Sequence, residues 1–118
     1  MAGVQVSSQP ITHALTGQTL SPAITVQQMV QDSDAQYFAT PVLLSNAGDV
    51  VEALQGTKAA TGIPVNGASL PLAIKYSFTD LAISSPGTYY IRLDLYKMST
   101  SGATLVSQVN LNTITVTN

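Results

Sequence analysis

Residues 76–98 read Tyr76-Ser-Phe-Thr-Asp-Leu-Ala-Ile-Ser-Ser-Pro-Gly-Thr-Tyr-Tyr-Ile-Arg-Leu-Asp-Leu-Tyr-Lys-Met98, and this stretch decides the fold. Tyr89, Ile91, Leu93 and Leu95 fall on one face of an extended chain, and Tyr90, Arg92, Asp94 and Tyr96 on the other. A period of two is what a strand needs to cover a core with one side and meet water with the other. Ser85, Pro86 and Gly87 supply the turn before it, which gives Gly87 a structural role. Phe78, Leu81 and Ile83 supply an apolar stretch before that turn. The segment reads as a β-sandwich hairpin.

The same alternation recurs outward from it. Ile74, Tyr76 and Phe78 precede the hairpin, and Leu105 to Val116 follow it. In that last run Val109 and Leu111 share a face, but Ile114 and Val116 are out of phase, so a one-residue slip is expected at Asn112 and Thr113. Towards the N-terminus, Val4 and Val6 mark an edge strand, and residues 11–15 a second short stretch. Ile24 and Val26 share a face; Met29 and Val30 break the phase as a bulge does. Residues 37–45 form the next strand, with Pro41 placing it at an edge or breaking it. Residues 31–34 and 46–49 read as polar turns. Residues 57–71 read as a long loop with one short strand, Asn66-Gly67 suiting a tight turn. Residues 27–31 and 49–54 are each long enough for one helical turn.

Roughly seven to nine short strands joined by Gly/Pro/Ser turns predict an immunoglobulin-like antiparallel β-sandwich, with a jelly roll or small barrel as the alternative. A chain of 118 residues, without an evident linker or repeat, reads as a single domain over 1–118.

Composition narrows the function classes. There is no cysteine, hence no disulfide framework or thiolate chemistry. No basic, apolar leader opens the sequence and no apolar run approaches the ~20 residues of a membrane helix, so membrane insertion is not expected and an intracellular setting is favoured. Only 8% of residues are charged, against ~25% in an ordinary domain. The four cations, Lys58, Lys75, Arg92 and Lys97, are scattered, a poor basis for holding a nucleic-acid backbone. A weak net charge of -2 favours association with protein instead.

Candidate chemistry is sparse. His13 is the one histidine, and no acid follows it closely enough in sequence to orient it. Asp32 and Asp34 have the spacing of a calcium loop but lack its glycine and terminal acid; they read as a solvated turn, with weak cation binding alongside Asp49 or Glu52 as the alternative. No catalytic, cofactor-binding or metal residue is assigned, no cofactor is expected, and the chain is read as not an enzyme. Asp80 reads as capping its own turn. Arg92 and Asp94 read as a surface ion pair, or Arg92 as a partner's anchor. Tyr90, Arg92, Tyr96 and Met98 combine the residue types that interfaces favour, and form the candidate contact face.

Several stretches together are similar to the velvet domain, the immunoglobulin-like module of fungal developmental regulators. Val6-Ser-Ser-Gln9-Pro10 resembles its entry strand, and Leu20-Ser-Pro22-Ala-Ile24-Thr-Val26 its proline-bearing strand. Leu54-Gln-Gly56-Thr57 resembles its Leu-x-Gly step. Phe78-Thr-Asp80-Leu81, followed by Gly87-Thr-Tyr89-Tyr-Ile91-Arg92-Leu93, resembles its most distinctive pattern, and Val106 and Ile114-Thr-Val116 its closing strands. The resemblance runs nearly the whole length on short motifs, and implies dimerisation with itself or a related domain. It also implies DNA contact near the entry strand, yet residues 11–17 hold no Arg or Lys. The leading expectation is therefore a protein–protein interaction module. Alternatives are a self-assembling fibre or coat protein using edges such as Val4–Val6, a DNA-binding regulator, and a carbohydrate-binding module using Tyr37, Phe38, Tyr90 and Tyr96.

Overall fold

Residues that alternate apolar and polar side chains become strands throughout the computed structural model, which describes residues 4–10, 12–30, 36–65 and 72–118. In chain order these are β1 (Val4–Ser8), β2 (His13–Leu15), β3 (Ile24–Val30), β4 (Gln36–Ser45), β5 (Leu54–Gln55) and β6 (Ala60–Thr61). There follow β7 (Ile63–Pro64), β8 (Leu72–Phe78), β9 (Ala82–Ile83), β10 (Gly87–Ser99), β11 (Gly102–Asn110) and β12 (Ile114–Thr117). The turns expected at residues 31–34 and at Asn66-Gly67, with Asp32, Asp34 and Pro71, lie outside the described residues.

One sheet has the order β1-β3-β8-β7 and the other β2-β12-β10-β4-β6, with β11 also paired to β10; β5 and β9 make a small third sheet. In immunoglobulin lettering this is A-B-E-D facing A′-G-F-C-C′, with β2 running parallel to β12. The chain is an all-β, immunoglobulin-like β-sandwich. One cluster of apolar side chains joins the two main sheets, including Ile24, Val26, Tyr76 and Phe78 from the first and Leu43, Ile91, Leu93 and Leu95 from the second. Each fully buried Leu, Ile or Phe contributes ~1.5–3 kcal/mol, so the inward face of β10 forms the spine of the core. At ~3.3 Å per residue, the 13 residues of β10 account for most of the molecule's 46 Å length.

The entry into β10 is held by a tyrosine corner. Buried Tyr89 folds back and donates its hydroxyl to the Pro86 carbonyl at 3.0 Å. Its ring lies over Gly87, where φ is +149° and a Cβ would sit 2.9 Å from the ring. Only glycine fits.

The slip expected at Asn112 and Thr113 is present. Leu111 donates to the Ile91 carbonyl and Ile114 pairs with Tyr89, so three steps on one strand meet two on the other. Pro41 is accommodated within a continuous β4: it stands opposite Leu93, and among the described residues the outer edge of β4 is paired at Phe38–Ala39 and at Leu44 but not at Pro41. The missing N–H therefore costs no ladder bond.

Three expectations are corrected. Met29 and Val30 form no bulge, because β3 pairs in register from Ile24–Phe78 to Val30–Leu72. Gln28, which is 0% exposed, occupies the core position that a polar residue concealed. Residues 27–30 are thus strand, and 49–54 hold a turn and a bridge rather than a helical turn. The described part of the irregular region, up to Val65, contains two short strands, β6 in one sheet and β7 in the other, and Gly62 between them carries the chain across the sandwich, donating its N–H to the Tyr37 carbonyl at 2.8 Å.

Candidate protein-interaction surface

Strand alternation puts Tyr90, Arg92, Asp94, Tyr96 and Met98 on the outward face of β10, between β4 and β11. The sequence expects this whole face to meet water. The structure divides it in two.

Its proximal part is consumed internally. Tyr90 stands beside Leu44, and its hydroxyl reaches the turn after β4, 3.9 Å from where a Cβ on Gly48 would lie. Arg92 donates from Nε to Asp94 Oδ1 at 2.8 Å and from Nη2 to Oδ2 at 3.1 Å, a two-pronged fork along one strand. Gln108 Nε2, from β11, adds a third bond to Asp94 Oδ1 at 3.0 Å. Asp94 is only 5% exposed, so the solvated pair expected here is a largely buried one. The bond to Asp94 raises the already high Arg92 pKa, and the guanidinium stays charged and occupied. The fork gives Arg92 the ion pair expected of it.

The distal part presents apolar surface. Tyr96 stacks on Phe38 of β4, ring centroids 5.0 Å apart and 15° from parallel. On its other side Tyr96 pairs with Leu105 of β11, which is 46% exposed. Met98, one pleat further, is 43% exposed and lies between Gln36 and Ala103. Beside Met98 and Phe38 an open cleft of about 380 Å³ runs along Tyr37, Ala59, Ala60 and Thr61. The row Phe38–Tyr96–Leu105, with Met98 above it, is an apolar patch that holds no charged side chain among the described residues.

Sequence reasoning thus named half of this patch. Phe38 enters the sequence reading only in the aromatic platform with Tyr96, not in the contact face, and Leu105 in neither, because cross-strand adjacency depends on register, which no linear spacing displays. A bulge in β11 between the Leu95 and Tyr96 pairings turns Leu105 to the outward face. Tyr37, offered above as part of an aromatic platform, instead points into the core at 6% exposure.

Other candidates fall elsewhere. His13 is exposed on β2, its Nε2 3.1 Å from Thr117 Oγ1, beside a cleft of about 80 Å³ lined by Pro10, Gln18, Leu20 and Ser21 but by no acid. Asp80 does not principally cap its own turn. It accepts the Thr57 N–H at 3.0 Å and the Thr57 hydroxyl at 2.7 Å, which hold its carboxyl below the usual aspartate range, its own amide contributing least. Among the described residues no three His, Asp or Glu side chains converge, and no helix is long and apolar enough to cross a membrane.

No protein-family model matches the chain, and no curated protein matches it. Among solved structures, the crystal structure of the periplasmic chaperone SfaE is similar at 10% identity and a TM-score of 0.36, over 97% of this chain and 56% of that one. The chain therefore spans little more than half the length of that structure.

Proposed function

We propose that this chain is a non-enzymatic, velvet-like protein-interaction module, and that the distal patch of β10 is where it meets itself or a related domain. One observation carries the reading: Tyr96, stacked on Phe38 and flanked by Leu105, forms with Met98 one pleat further an apolar surface beside an open cleft. Tyr on a preformed sheet gives large, rigid contact area at small entropic cost and Met an adaptable apolar one, and interfaces favour both. The only arginine is tied up by Asp94, which leaves scattered lysines and favours a protein partner over a nucleic-acid backbone.

The kinship with velvet domains rests on the motifs quoted above. Two of them, Leu54-Gln-Gly56-Thr57 and Phe78-Thr-Asp80-Leu81, are fastened to each other by the Thr57–Asp80 bonds, which supports reading them as one structural unit.

Analytical ultracentrifugation at micromolar concentration tests the proposal. The wild type is expected to associate, and Met98→Lys or Tyr96→Ala to weaken association by about tenfold or more while leaving the thermal midpoint near its starting value. Association indifferent to both substitutions would move the interface elsewhere.

A further inference from the structure

Beyond the face lies an edge. β12 is covered on its outer side by β2 and β4 in part by β6. β11 pairs with β10 alone among the described residues. Its sequence, Gly102-Ala-Thr-Leu-Val-Ser-Gln-Val-Asn110, contains no Lys, Arg, Asp, Glu or Pro. Natural edges are usually blunted by such residues, and here the only blunting device is the bulge.

The peptide groups available for pairing follow from the ladder. Leu111 donates to Ile91 O at 2.9 Å, so Ile91, Leu93, Leu95, Lys97 and Ser99 turn their main-chain groups towards β11. Their partners Val109, Ser107, Thr104 and Gly102 are thereby used. Ala103, Leu105, Gln108 and Asn110 turn theirs outward. These positions are symmetric about the bulge at Val106 and Ser107. An antiparallel second copy that sets Ala103 opposite Asn110 and Leu105 opposite Gln108 satisfies all of them, and their equivalents in the second copy, at once.

We infer that β11 is the edge to which a second copy of this chain adds, antiparallel and two-fold symmetric, in that register. The inference rests on the interaction reading above and gives it a geometry. Main-chain bonds supply the affinity of such strand addition, and an uncharged strand meets no like charge in the second copy. The side chains of Ala103, Leu105, Gln108 and Asn110 lie on the face of Tyr96 and Met98, so the distal patches of both copies become one surface.

The absence of cysteine from the chain makes the test clean. Ala103→Cys and Asn110→Cys are made separately, mixed, and oxidised. Residues facing each other in a hydrogen-bonded antiparallel pair lie ~5.5 Å apart between Cα atoms, within disulfide range. A covalent dimer is expected in the mixture and not from either variant alone. Leu105→Lys, whose backbone N–H the β10 ladder does not use, is expected to weaken association by about tenfold or more while the fold persists. Association that persists without the mixed disulfide overturns the edge pairing but leaves the face reading standing. Open-ended growth into fibres, as pairing with β1 would give, also overturns it. A strict monomer overturns edge and face together.

Discussion

Asp80 clasps Thr57 across 23 residues of sequence, taking the backbone N–H at 3.0 Å on one carboxylate oxygen and the hydroxyl at 2.7 Å on the other. Between them Gly56 adopts φ +112°, and a Cβ there would collide with the Asp80 carbonyl. The clasp closes the end of the sandwich where β5 meets β9. Its largest electrostatic component is the Thr57 hydroxyl, which lowers the Asp80 pKa below its ordinary 3.8. A carboxyl depressed in the folded state contributes stability above its unfolded pKa and loses it as pH falls through the folded one. Thr57→Val is expected to bring the Asp80 titration, followed by side-chain NMR, back up towards 3.8 and to flatten the acid limb of stability. An unchanged titration would assign the shift to another group.

Tyr76, fully buried, donates its hydroxyl to Gln28 Oε1 at 2.9 Å, and Gln28 Nε2 has no partner among the described residues. Removing one member of a buried polar pair strands the other, at ~1–3 kcal/mol, whereas removing both is nearly neutral. Tyr76→Phe and Gln28→Leu are each expected to fall in that range by chemical denaturation. The double variant should lose clearly less than the sum; additive losses would mean that the bond contributes nothing.

The Tyr76 hydroxyl also makes stability depend on pH. Burial, and secondarily the neighbouring Tyr37, push the Tyr76 hydroxyl well above its ordinary 10.0. The unfolded chain therefore sheds this proton first, so stability is full below pH 10 and declines as pH rises beyond it.

These particulars show where sequence reasoning succeeds. Tyr89 to Leu95 alternate against a large core, so side-chain period alone places β10. Ile114 and Val116 can stay buried only if one residue is absorbed, which locates the bulge at Asn112 and Thr113 without any structure. Gln28 misled because a polar residue at an inward position mimics a break in phase. A turn carboxylate ordinarily finds a local partner, which is what sequence alone expects of Asp80, whereas its partner Thr57 is set by how β5 and β9 meet. The contact face was half legible for the same reason: Tyr96 and Met98 share a strand, but Phe38 and Leu105 join them only through register.

Arg92 separates a structural role from a binding one. Its side chain, 30% exposed, grips Asp94 with the two prongs of the guanidinium, a geometry that the single ammonium of lysine does not reproduce. With Gln108 still holding Asp94 Oδ1, the loss is partial, and exposure screens part of it. Arg92→Lys is expected to lower unfolding free energy by about 1 kcal/mol and to leave association unchanged. Denaturation and sedimentation on the same sample check both halves. Stability intact with association lost would make Arg92 a partner's anchor after all, and would extend the contact surface from the distal patch down the length of β10.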